Sequence, residues 1–96
     1  MLYQLRRYRV RDGAMDEFLA LFHDHIVPAR KVMDFEVLGP WVDREDGTFV
    51  WIVGHEAPGG WEAIDRAYYE SPGRASVPRD PKELLEDVQL KVLAPA

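Results

Sequence analysis

The stretch TFVWIVGHE, residues 48–56, carries apolar side chains at both parities. Read as a strand, it sends Phe49, Trp51 and Val53 to one face of a sheet and Val50 and Ile52 to the other. Both faces of that sheet therefore need cover. The chain has 96 residues, enough for one core, and residues 1–96 are read as a single domain.

The elements around this strand follow from period and turn chemistry. REDGT, residues 44–48, is a hairpin turn, so FEVLGPWVD, residues 35–43, precedes it as an antiparallel strand. That strand is predicted to place Phe35, Val37 and Trp41 on one face, with Gly39-Pro40 favouring an edge position or a bulge. At the start of the chain, LYQLRRYRV, residues 2–10, reads as a strand ending at the Asp12-Gly13 turn. Tyr3 and Leu5 share one of its faces; Gln4, Arg6, Tyr8 and Val10 share the other.

Between these strands the period changes to that of a helix over residues 14 to 32. Met15, Phe18, Leu19, Phe22, Ile26 and Ala29 form one stripe, with Asp16, Glu17, Asp24 and Lys31 opposite. Pro28 lacks a donor and crowds the Asp24 carbonyl, which predicts a kink or break. A second helix is expected in WEAIDRAYYE, residues 61–70, with Trp61, Ile64, Ala67 and Tyr68 on one face and Ser71-Pro72-Gly73 at its end. Residues 74–80 show no period. Asp80, Pro81 and Glu83 suit a cap, a first-turn proline and a capping-box acid for a short helix over residues 81–85. VQLKVL, residues 88–93, alternates cleanly and is the fourth strand.

The order is βαββαβ: an α+β, ferredoxin-like domain with a four-stranded antiparallel sheet and two helices on one face. Helices on one side leave the other apolar face of the strand at residues 48–56 open. The simplest cover is a second copy of the sheet across a two-fold axis, so the expectation is a homodimer closing as a dimeric α+β barrel.

At this point the residues carry a resemblance. YQLRRYRVRDGAMDEFLALFHDHIVPARK, residues 3–31, resembles the opening of the NIPSNAP family in Tyr3, Leu5, Arg6, Tyr8, Val10, Gly13, Phe18 and Pro28. GPWVDREDGTFVWIVGHE, residues 39–56, and AYYESP, residues 67–72, resemble that family's strand pair and its aromatic pair before a proline. The resemblance covers nearly the whole chain and implies the dimeric α+β barrel fold. The family's strand-one acid is Gln4 here, which removes a carboxylate from beside Arg6.

Composition narrows the chemistry. Twelve basic and seventeen acidic residues leave a net charge of −5, which opposes nucleic-acid or anionic-membrane partners. Arg6, Arg7, Arg9 and Arg11 are the one basic cluster, and a strand splits them between two faces. There is no cysteine, which excludes disulfides, thiolate metal sites and cysteine nucleophiles and suits a reducing cytoplasm. No basic-then-apolar leader and no apolar run of about 18 residues is present, so a soluble cytoplasmic protein is expected. No phosphate loop, nucleophile elbow or dinucleotide fingerprint occurs, and no cofactor is expected.

His23 and His25 flank opposite sides of the helical stripe and cannot share an ion, so no metal site is expected. His25 lies beside the stripe, within reach of an interior cavity. Arg6 falls on a strand face with Gln4 and Tyr8, where a buried guanidinium needs partners: an acid from a helix or second subunit, or an anionic or carbonyl-bearing ligand. His55 ends the third strand on the parity of Trp51 and is the candidate general base, or a rim histidine held by hydrogen bonds. Trp41, Trp51, Trp61, Tyr68 and Tyr69 suit an aromatic pocket wall or core packing. The ligand-binding candidates are Gln4, Arg6, Tyr8, His25, Trp51 and Tyr68. The expected function is binding of a small, partly apolar ligand between sheet and helices, with cofactor-independent monooxygenase- or cyclase-like catalysis as an extension. The other reading is a non-catalytic interaction or scaffold module acting through its dimer surface; haem held by His25 or His55 is a third.

Overall fold

A computed structural model describes all 96 residues. Four strands, β1 (Leu2–Val10), β2 (Glu36–Asp43), β3 (Thr48–His55) and β4 (Leu85–Leu93), form one antiparallel sheet in the order β2-β3-β1-β4. Helical segments α1 (Met15–Leu21), α2 (Val27–Val32), α3 (Trp61–Tyr69) and the single turn α4 (Pro72–Ala75) complete the ferredoxin-like α+β arrangement. They pack on one face.

The strand faces are those that alternation predicts for β1 and β3. Gln4, Arg6, Tyr8 and Val10 are buried beneath the helices beside Phe49, Trp51 and Val53. Phe18 and Phe22 descend from the helix layer onto that floor, with edge-to-face contacts to Phe49 at 4.8 and 5.1 Å and a Phe22–Trp51 contact at 4.9 Å. The aromatic quadrupole favours this geometry beyond the area that the rings bury.

Pro28 does not break the first helix. The residues before it, Phe22–Ile26, widen into a π turn that runs on into α2. A proline cannot donate to the carbonyl four residues back, and the wider turn absorbs the defect without ending the helix. Each residue of a π turn advances less around the axis than in an α-helix, so side chains beyond Phe22 lag behind the predicted stripe. His25 is exposed as a result.

β2 is an edge strand, and the bulge between Leu38 and Trp41 inserts Gly39 and Pro40. The insertion resets parity. Val37 and Val42 face the helices, paired with Val53 and Phe49, whereas Leu38 and Trp41 pair with Ile52 and Val50 on the open face. The expected common face for Val37 and Trp41 is thus corrected: Trp41 is turned out and 56% exposed. Ala67 is also exposed, against the helical-stripe reading, and half-buried Asp65 takes an inward place on α3.

Two short segments differ from their predictions. Pro72–Ala75, expected as part of a helix stop and an irregular stretch, forms a helical turn because Ser71 Oγ accepts from the Arg74 amide at 3.2 Å. Pro81–Leu84 is a 3₁₀ turn capped by Asp80, whose carboxylate accepts from Lys82 N at 3.0 Å. Glu83 does not close a capping box; its carboxylate pairs with Arg79 at 3.2 Å. No helix is long and apolar enough to cross a membrane.

Candidate functional site

Between β1, β3, the first helix and α3, the fold brings together Arg6, Tyr8, Trp51, Tyr68 and Arg30. Each arrives by a different local rule. Arg6 and Tyr8 are two apart on one strand and so share a face; Trp51 is the cross-strand partner of Arg6. Tyr68 reaches down from the last turn of α3.

Arg6 is buried and bound to neutral groups. Its Nε donates to Tyr8 Oη at 2.6 Å, Nη1 to Gln4 Oε1 at 2.6 Å and Nη2 to Tyr69 Oη at 3.0 Å. Trp51 Nε1 donates to the same Tyr8 oxygen at 3.0 Å. Burial works against the Arg6 cation, but the Tyr8 and Tyr69 oxygens outweigh it and hold the guanidinium above its ordinary value. No carboxylate touches it. Gln4, where a glutamate would have neutralised the charge, supplies only an amide oxygen.

Arg30 was not singled out by sequence reasoning. It is 1% exposed, with its guanidinium carbon 3.6 Å from the Tyr68 ring centroid and 4.8 Å from that of Phe35. Its acid is Asp65, 3.5 Å from Nη1, in an orientation that makes no hydrogen bond, so Arg30 Nε and Nη1 and Asp65 Oδ1 are all buried without one. Burial first, and the Arg6 cation second, push the Arg30 guanidinium below its ordinary value. Burial also raises the Tyr68 phenol, against the opposing pull of Arg30 and Arg74. A signal for Arg30 was present: it lies four residues after Ile26 and eight after Phe22, at helical spacing with the apolar stripe. Its charge argued for the solvent side.

These groups line a cavity of about 50 Å³ that is partly open to solvent. Arg6, Arg30, Arg74 and Lys82 line it, together with apolar side chains that include Phe18, Phe22 and Val88, and no acid does. A larger cleft of about 320 Å³ sits at the turn end of the sheet among Arg9, Arg11, Asp12, Asp16, Arg44 and Asp46. There both signs of charge intermingle and only two apolar residues contribute, which suits hydrated surface better than ligand recognition.

Of the candidates read from the sequence, Gln4, Arg6, Tyr8, Trp51 and Tyr68 converge here. His25 does not. Contrary to the expectation that it reaches an interior cavity, it lies in an exposed dip beside Glu17, Asp24 and Arg79. His55 stands opposite Leu2 at the far end of β1, with both ring nitrogens engaged. Nε2 lies 2.9 Å from the Met33 carbonyl and Nδ1 accepts from Ala57 N at 2.9 Å, an assignment that places the proton on Nε2. Among the His, Asp and Glu side chains, no group of three is placed to hold a metal ion.

The class defined by this architecture is a ferredoxin-like sheet with a cationic, aromatic-walled cleft under its helices. Known structures share the fold. An uncharacterized NIPSNAP domain protein from Burkholderia xenovorans superposes with a TM-score of 0.81 at 20% identity, covering 100% of this chain and 95% of that one. A NIPSNAP family protein from Agrobacterium tumefaciens gives 0.80 at 20% identity over 99% and 92% of the two chains. A structure described as an antibiotic biosynthesis monooxygenase gives 0.71 at 17% identity over 100% and 99%. No protein-family model matches the chain, and no curated protein matches it. The NIPSNAP resemblance in the sequence and these folds thus agree; at identities near 20% the likeness carries the fold and not an activity.

Proposed function

We propose that this chain is a small-molecule-binding protein whose ligand enters the cleft between sheet and helices and contacts Arg6, Tyr8, Arg30, Trp51 and Tyr68. The observation that supports this reading most is a pair of buried guanidinium groups at the floor of a solvent-open cleft. Burying two like charges is unfavourable, and a core of this size is built more stably from apolar side chains. Retaining both cations beside an opening is the arrangement of a recognition site.

The working unit in this reading is a homodimer. The open sheet face carries Leu38, Trp41, Val50 and Ile52, a contiguous apolar patch by strand pairing. A second copy of the same sheet is the cover that self-complementary symmetry supplies. Cofactor-independent monooxygenase- or cyclase-like chemistry, in keeping with the description of one fold neighbour, would need a base other than His55, whose ring is held by Met33 and Ala57. The small cavity favours the second reading, an interaction module acting through the dimer surface.

Native mass spectrometry of protein purified without denaturation tests both halves. A dimer carrying a retained small molecule, lost in Arg6→Met while the dimer persists, is the expected result. A single species of 11.1 kDa with no adduct, together with no thermal shift across a metabolite panel, would overturn it.

A further inference from the structure

The cleft has an excess of hydrogen-bond donors and positive charge that the protein leaves without acceptors. Arg30 Nε and Nη1 are buried with no hydrogen-bond partner. Tyr8 Oη already accepts from Arg6 Nε and Trp51 Nε1, which fills its acceptor capacity, and its own O–H has no acceptor within reach. Arg6 is satisfied only by neutral oxygens. Four cations line the space, whereas the two acids that approach them, Asp65 on Arg30 and Asp80 on Arg74, stand at 3.5 and 3.8 Å and outside the lining. Buried donors without acceptors are rare in folded proteins because each forfeits its hydration. The group that would complete this site is negatively charged and rich in acceptors.

Size and surroundings narrow the anion. A site needs about 10–15 Å³ of such volume to hold one water, so the cavity of about 50 Å³ takes roughly three to five heavy atoms. A carboxylate has three; a phosphate group has five. Guanidinium forks match the planar carboxylate geometry, and the walls of Phe18, Phe22, Ile26, Leu85 and Val88 leading to solvent are apolar. Resting on the ligand-binding reading above, we infer that the ligand is a monocarboxylate with an apolar body. Its head group is bound by Arg30 and the Tyr8 hydroxyl, with Arg6 supplying charge and Arg74 and Lys82 attracting it at the rim.

Calorimetric titration of the wild-type dimer tests this with unbranched and phenyl-substituted monocarboxylates of four to ten carbons, each beside its primary amide. The amide keeps the shape and removes the charge. Carboxylates should bind at least tenfold more tightly than their amides, with affinity rising with chain length and falling as salt is raised. Arg30→Gln should abolish the preference. Lys82→Gln, at an exposed position, and Arg74→Gln, at a half-buried one outside the core, should fold normally and weaken carboxylates several-fold while leaving amides unchanged. Equal affinity for each carboxylate and its amide would overturn the anionic assignment while the ligand-binding reading stood. Absence of binding for carboxylates, amides and inorganic phosphate alike at millimolar concentration would remove both. Tighter binding of inorganic phosphate than of any carboxylate would overturn the choice of head group.

Discussion

Tyr8→Phe removes a single oxygen, and the structure predicts a cost well above that of most conservative changes. That oxygen receives two buried donors, Arg6 Nε at 2.6 Å and Trp51 Nε1 at 3.0 Å. Neither has another partner, so the phenylalanine orphans both. An unsatisfied buried donor costs about 1–3 kcal/mol, and the one on a charged group falls at the upper end. The sum is roughly 3–5 kcal/mol, a large share of the 5–15 kcal/mol typical of a domain. For a chain of this length each kcal/mol moves the melting temperature by about 4–8 °C, so a fall of at least 12 °C is expected. Far-ultraviolet circular dichroism measures both, the free energy by urea unfolding and the melting temperature by a thermal scan, at one fixed protein concentration because any association would add to apparent stability. Trp51→Phe supplies the control. Once the indole N–H is gone, the loss of the Tyr8 oxygen orphans one donor instead of two, so the double variant should be more stable than additivity predicts by about 1–2 kcal/mol. A Tyr8→Phe cost below about 1 kcal/mol, or additive single changes, would refute the shared-acceptor account.

Other outcomes are expected. Trp41→Lys should convert the proposed dimer to monomer with little loss of fold: two such indoles, each 56% exposed, would together bury roughly 200 Å², about 5 kcal/mol, which sedimentation velocity at micromolar concentration can read. Gly47→Ala should destabilise by about 1–3 kcal/mol in thermal unfolding, because Gly47 has φ +76° and a Cβ there would stand 2.9 Å from the Val10 carbonyl oxygen. Burial raises the Tyr68 phenol, so its contribution is complete below the ordinary tyrosine value near 10 and is lost as pH rises through the higher folded value. Unfolding free energy measured across that alkaline range should fall less steeply in Tyr68→Phe than in wild type.

Much of the fold was legible because its determinants are local. Turn residues at Asp12-Gly13 and Asp46-Gly47, and the switch from period 2 to the helical period, mark the elements. The errors cluster where one inserted residue or one widened turn resets the count. Gly39-Pro40 flagged a bulge, but the residue count opposite β3 decides the face of Trp41, and that count is a property of the paired strands. Pro28 flagged a defect, but whether the helix breaks, kinks or widens depends on what packs against it. His25 was misjudged through that one local change, whereas Arg30 was missed because its charge argued for solvent.

Alternation along β1 and β3 was enough to group Gln4, Arg6 and Tyr8 on one face of their strand and Phe49, Trp51 and Val53 on one face of theirs, since neighbouring Cβ atoms of a strand point to opposite sides wherever the strand lies; that both groups share the face under the helices was decided by the strand pairing. Charge and cysteine content likewise bounded the chemistry without coordinates. The second buried cation, the shared Tyr8 oxygen, the separation of His55 from Arg6 and the absence of any acid from the cleft lining were decided only by tertiary structure. Each depends on groups distant in sequence meeting at hydrogen-bond or stacking distance, and no local period specifies such a meeting.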